Sequence, residues 1–203
     1  MSIDELHDFT MLGVWTMTKE KLNLETKRIL LRPFELSDGP RVKKLAEDKA
    51  IADTTLNVPH PYKDGMAEEW ILTHQPKFEN EEEVTCAIIL KPIQELIGAI
   101  GLAIDKRFNR AELGYWVGKE YWNQGYCTEA SKVILKYGFY ELGLHRIIAT
   151  HIIRNPASGK VMKKIGMKKE GILREHVIKW DKYEDVVSYG ILKKEWENII
   201  KKP

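Results

Sequence analysis

From residue 26 onward the spacing of apolar and polar positions divides the chain into short strands and helices. Ile29-Leu30-Leu31-Arg32-Pro33-Phe34 reads as a strand, with Ser37 and Asp38 as capping candidates for a helix that lines up Val42, Leu45 and Ala46. Pro59 and Pro61 make residues 54–65 a loop, and residues 66–73 fit a short helix. Residues 84–90 and 95–104 alternate as two strands around a turn at 91–94, with Gly98 and Gly101 as marks of bulges. Residues 111–118 form another strand, which leads through a glycine-containing turn into an amphipathic helix. That helix carries Ala130, Val133, Ile134 and Tyr137 at a period of about 3.6 residues and ends at Gly143. The isoleucine-rich residues 145–153 suit a buried strand, and Asn155 with Pro156 starts a helix that runs through Ile165 and stops at Gly166. Residues 171–192 fit two strands around a turn at 181–185, followed by a last short helix. The sum is a mixed α/β (α+β) fold with one main sheet.

No repeat or linker divides the chain, so the expectation is a short N-terminal arm, residues 1–25, and a single domain over residues 26–203. With 43% apolar and 31% charged residues, 203 residues suffice for one ordinary core. No apolar stretch approaches the roughly 20 residues of a membrane span, and the first ten residues are acidic and polar, so a cytoplasmic protein is expected. A net charge of +2, from 32 basic and 30 acidic residues that are interspersed, gives no field for recruiting nucleic acid. Lys193, Lys194, Lys201 and Lys202 read as the exposed face of the terminal helix. The two cysteines, Cys86 and Cys127, are too few for a disulfide framework and lack a metal-site spacing with histidine, so no metal is expected.

The chemistry concentrates where a strand meets a helix through Trp122-Asn123-Gln124-Gly125-Tyr126-Cys127-Thr128-Glu129-Ala130. Unpaired N–H groups at a helix N-terminus, together with the helix dipole, make an anion site that a pyrophosphate would fit. The plainer alternative is a strand-to-helix turn in which Gly125 supplies an awkward φ.

This segment, with Ala111-Glu112-Leu113-Gly114-Tyr115-Trp116-Val117 before it, resembles the GNAT acetyltransferases, whose pyrophosphate loop reads Gln/Arg-x-x-Gly-x-Gly/Ala. The run Gly125-Tyr126-Cys127-Thr128-Glu129-Ala130 is similar to the ribosomal-protein N-terminal acetyltransferase (Rim) branch, as are Asn155-Pro156-Ala157-Ser158 and Gly166-Met167-Lys168-Lys169-Glu170-Gly171. The resemblance spans residues 26–192. It implies a GNAT fold, a central, mostly antiparallel twisted sheet flanked by helices, and transfer of an acetyl group from acetyl-CoA directly to a primary amine. The acceptor would be a protein N-terminus or a small molecule such as an antibiotic or polyamine; a domain that only binds acyl-CoA is the non-enzymatic alternative. By the same resemblance the backbone amides of Gln124, Gly125, Tyr126, Cys127 and Thr128 would hold the pyrophosphate. The main chain of Val117 would pair with the pantetheine arm, and Asn155 would hydrogen-bond it; as a plain helix cap Asn155 would contribute about 1 kcal/mol.

Two positions depart from the pattern. The tyrosine that many GNAT enzymes use as the acid falls on Met162, leaving Ser158, the Rim-type serine, as the candidate acid. The Rim-type glutamate falls on Val177. The superfamily often places a glutamate on the strand beside the cofactor, so the resemblance makes Glu112 the first candidate base, with water able to relay the proton; Glu175 and His176 are neighbours of the lost position. Losing a strong base leans toward amines of low pKa, because an α-amine near 8 is about a tenth neutral at pH 7 and a lysine near 10.4 almost wholly charged. Residues 54–65, Trp70, Trp180 and Tyr183 are candidates to line the acceptor pocket, and Asp53 and Asp64 to attract a cationic amine. Cys127 has no evident histidine partner, so a covalent acyl-enzyme is not expected. A homodimer paired through the C-terminal strands is open to a fold with exposed sheet edges.

Overall fold

The computed structural model describes residues 22–201; residues 1–21, most of the expected arm, lie outside the described residues, as does Lys202. In chain order the elements are β1 (Leu24–Glu25), β2 (Ile29–Arg32), α1 (Gly39–Ala46), α2 (Lys49–Thr54), α3 (Met66–Leu72), α4 (His74–Glu79), β3 (Glu83–Leu90) and β4 (Glu95–Asp105). They continue with β5 (Arg110–Val117), α5 (Tyr126–Tyr140), β6 (Arg146–Ile152), α6 (Pro156–Lys164), β7 (Lys168–Lys179), β8 (Lys182–Leu192) and α7 (Lys193–Ile200).

Among the described residues eight strands form one open sheet in the order β1-β2-β3-β4-β5-β6-β8-β7. Every neighbouring pair is antiparallel except β5 with β6, which α5 connects as a parallel crossover. This is the mixed α/β fold with one main sheet that the alternation predicts, with the mostly antiparallel order that the resemblance implies.

The strands bury both faces. On one, Ile97, Ile100 and Leu102 of β4 and Ala111, Leu113 and Val117 of β5 pack with Ala130, Ile134 and Tyr137 of α5 and with Met162 and Ile165. On the other, Ala87, Ile89, Leu96 and Trp116 meet Val42 and Leu45 of α1 and Ala67, Ile71 and Trp70 of α3. Trp70, a pocket candidate, is half-buried against this cluster, its ring 5.1 Å from that of Phe34 and 4.4 Å from that of His74.

Several local expectations need correction. Asp38 stands at the N-cap of α1 but makes no cap bond. Its carboxylate accepts two bonds of 2.8 Å from Arg32 and one of 2.9 Å from the Glu35 amide. The bulge in β4 is an extra residue at Ile97, beside Gly98, whereas Gly101 pairs in register with Thr85 and Gly114. Gly98 has no room for a side chain, since a Cβ there would lie 2.2 Å from the Trp116 carbonyl oxygen. The last hairpin turns at Trp180 and Asp181, both at positive φ, and Lys182–Asp185 already belong to β8.

Candidate active site

The parallel strands β5 and β6 stay together for three residue pairs, Arg110 with Arg146, Ala111 with Ile147 and Glu112 with Ile148. Beyond that point β5 continues to Val117 alongside β4, and β6 continues to Ile152 alongside β8. The sheet is therefore split by a slot. Along it, residues 113–117 keep alternate N–H and C=O groups that, among the described residues, no strand pairs with, an edge suited to an extended ligand. At its far end the carbonyl of Val117 accepts the Trp122 indole Nε1–H at 2.9 Å, so one lone pair of this pantetheine-pairing candidate is in use.

Past Val117 the chain makes a short turn at Lys119–Tyr121 and enters α5 through Asn123 and Gly125, at φ 60° and 83°. Gly125 is the N-cap, and no side chain caps the helix. Among the described residues no acceptor meets the N–H groups of Tyr126, Cys127 and Thr128, which are left facing the same side as the α5 dipole. The loop is held from the bend between β1 and β2: Arg28 donates to the Gln124 carbonyl at 3.1 Å and to Glu129 at 2.6 Å, and its guanidinium lies 4.7 Å from the centre of the Tyr126 ring. Thr26 also donates to Glu129. Burial alone would raise the Glu129 carboxyl, but the bonds from Thr26 and Arg28 outweigh it and hold the group below the usual carboxylate range.

The candidate acid and base stand on opposite faces of the slot. Glu112, like Gly114 and Trp116, points to the α1/α3 face, where it is exposed and accepts the Thr150 hydroxyl at 2.8 Å across from β6. Tyr115 points to the α5 face, and its hydroxyl lies 2.9 Å from Ser158 Oγ and 3.0 Å from the Ser158 carbonyl oxygen. Burial pushes the Tyr115 phenol well above its usual value, so it stays protonated. The sequence reading missed Tyr115 as a partner of Ser158, because the two lie 43 residues apart.

Asn155 has two structural bonds: its side-chain oxygen accepts the Ser158 amide at 3.4 Å, capping α6, and its amide donates to the Thr54 carbonyl at 3.0 Å. One of its two amide hydrogens remains for a ligand. Met162 is 1% exposed, part of the core cluster under α5. Val177 is half-buried on β7 opposite Glu184. Glu175 and His176 sit exposed on a bulge of that strand, with Glu175 at φ 48°. Burial pushes the Cys127 thiol up to about 12, so at neutral pH it is not a thiolate.

The loop after α2 is tied to the last hairpin. Lys179 donates to the carbonyls of Leu56 and Val58 at 3.2 and 3.3 Å, and the Trp180 indole donates to Asp53 at 2.7 Å. Burial lowers the Lys179 amine, with Asp53 opposing that shift. These bonds bring the loop, Asp53 and Trp180 together. Tyr183 is 67% exposed beyond it, and Asp64 pairs with Lys43 on the open surface.

Residues 28–168 match the family model described as an acetyltransferase (GNAT) domain. An uncharacterized N-acetyltransferase of Bacillus subtilis, YnaD, is 34% identical over 175 residues, which cover 86% of this chain and 99% of YnaD. The putative ribosomal N-acetyltransferase YdaF of the same organism is 36% identical over 103 residues, half of this chain and 56% of YdaF. The crystal structure of a GNAT-family acetyltransferase from Bacillus anthracis superposes with a TM-score of 0.76 at 28% identity, covering 85% of this chain and 99% of that one. The match runs through the loop, the slot and α6 alike: the chain belongs to the GNAT acetyltransferases and is an acetyl-CoA-dependent N-acetyltransferase.

Proposed function

We propose that the slot and the α5 N-terminus take the two halves of acetyl-CoA, and that the acetyl group passes directly to an α-amine or another amine of low pKa. The observation that carries this is the placement of Glu112 and Ser158 on opposite faces of the sheet where β5 and β6 part. The uncapped amides of Tyr126, Cys127 and Thr128, extended by the turn at Gln124 and Gly125, fit the pyrophosphate. The open edge of β5 up to Val117 fits the amides of the pantetheine arm, with the free Asn155 amide hydrogen reaching it from α6.

Acetyl-CoA supplies the thioester whose C–S bond is replaced by a C–N bond to the acceptor. On the α1/α3 face Glu112, held by Thr150, takes the proton that the amine sheds, directly or through water. On the α5 face Ser158 gives its hydroxyl proton to the departing sulfur and regains one from solvent. An exposed carboxylate is a weak base for a lysine ammonium, while an α-amine near 8 supplies neutral nucleophile unaided. Val177, where an ionisable group is absent, agrees with this choice of acceptor, and so does the naming of YdaF as a ribosomal N-acetyltransferase.

The test is CoA release with a panel of peptides bearing free N-termini, the same peptides with blocked N-termini and internal lysines, and polyamines. The expected result is turnover only with free α-amines, with Glu112→Gln lowering kcat by about ten- to a hundredfold. Preference for the blocked lysine peptides or polyamines would overturn the α-amine reading.

A further inference from the structure

We propose that Tyr115 is a positioning residue for the transfer: its hydroxyl spans from β5 to the first turn of α6 and orients the Ser158 hydroxyl toward the slot. The inference rests on the reading of Ser158 as the acid. Tyr115 leaves β5 in the stretch that has already separated from β6, and Ser158 lies at the start of the helix that follows β6. The bond of 2.9 Å between their hydroxyls therefore joins the two banks of the slot.

The phenol has one proton and two acceptors within reach, Ser158 Oγ and the Ser158 carbonyl oxygen. When that proton points to the carbonyl, the serine proton can satisfy the phenol oxygen, and neither is offered to the slot. Turning the phenol proton to Oγ frees the serine proton for the sulfur. The hydrogen bond to Oγ then strengthens as the serine proton leaves, because the oxygen it touches gains negative charge. Tyr115 keeps its own proton throughout, as its buried setting requires. The side chain is packed against the core cluster that includes Leu113, Val117 and Ala130, so the hydroxyl is delivered from a fixed ring.

The experiment compares Tyr115→Phe, Ser158→Ala and the double variant in steady-state kinetics with one amine. Tyr115→Phe is expected to lower kcat about ten- to a hundredfold, the loss of one hydrogen bond to a group that becomes charged. The KM for acetyl-CoA should stay within about threefold, a split that loosened packing would not give. The double variant should be no slower than Ser158→Ala, since the two groups act as one unit. An unchanged kcat in Tyr115→Phe, or losses that multiply in the double variant, would overturn the positioning role while leaving Ser158 as the acid. An unchanged kcat in Ser158→Ala would remove the acid assignment and this inference with it.

Discussion

Cys127 is the residue most easily mistaken for a nucleophile, since it lies in the turn proposed to bind the pyrophosphate. Its thiol is pushed up to about 12 by burial, so it is not a thiolate at neutral pH. Cys127→Ala is expected to keep kcat within about threefold, because only the main chain at that position is asked to act. Mixing the enzyme with acetyl-CoA without an amine should release no stoichiometric burst of CoA; such a burst would mean an acyl-enzyme and refute direct transfer. Ser158 and Asn155 show how one short motif divides its labour. The asparagine closes the helix end and anchors Thr54, and this fixes the turn from which the serine projects. The capping duty was readable from Asn155-Pro156; the bond to Thr54, 101 residues away, was not. Nor was the link to Tyr115, because alternation shows which face a strand residue takes but not which distant helix it meets.

At the level of elements, the strength of each sequence signal tracks the length of its period. α5, β3, β4 and β6 carry several repeats of their apolar spacing and were legible. α2 and α4 span six residues each and escaped, since neither completes two turns and α4 contains Pro76, tolerated only because it lies in the first turn. The β7–β8 turn was placed too late because Trp180-Asp181 lacks the usual Asn-Gly wording although both residues adopt the left-handed conformation. The junction of β5 with α5 was legible as a glycine-containing strand-to-helix turn, and its uncapped amides, proposed to hold the pyrophosphate, give the prediction that belongs to this scale. Acetyl-CoA at a hundred times its dissociation constant should add about 2.7 kcal/mol, or about 5 to 11 °C in Tm for a chain of this size. Gly125→Trp should abolish the shift, because a side chain at φ 83° strains the turn and obstructs the amides. Wild-type protein that shows no shift at saturating acetyl-CoA would sink the assignment of the donor site to this loop.

For the molecule as a whole, a sensitivity to pH is built into the α1/α3 face of the sheet, which closes over an ionisable ring. His74, at the start of α4, sits between Phe34 and Trp70, and neither ring nitrogen has a hydrogen-bond partner among the described residues. Burial lowers its pKa from 6.5 to about 4, with nearby Glu83 opposing the shift and Lys77 adding to it. Between these two values the unfolded chain binds a proton that the folded protein refuses. Stability is therefore fully present above pH 6.5 and declines as pH falls toward 4, by up to about 3 kcal/mol, less whatever solvent screens at this half-buried residue. The Arg32–Asp38 pair acts in a lower window. There burial raises the carboxyl, the bonds from Arg32 and Glu35 outweigh it, and the stabilisation is lost only as pH drops below the ordinary carboxylate value of 3.8. Urea denaturation at a series of pH values from 7 to 4 separates the two. Wild-type stability should decline across that range, and His74→Leu, which keeps an apolar group between Phe34 and Trp70, should flatten the decline. A slope that persists unchanged in His74→Leu would place the sensitivity elsewhere and show that the ring is readily hydrated in the folded state.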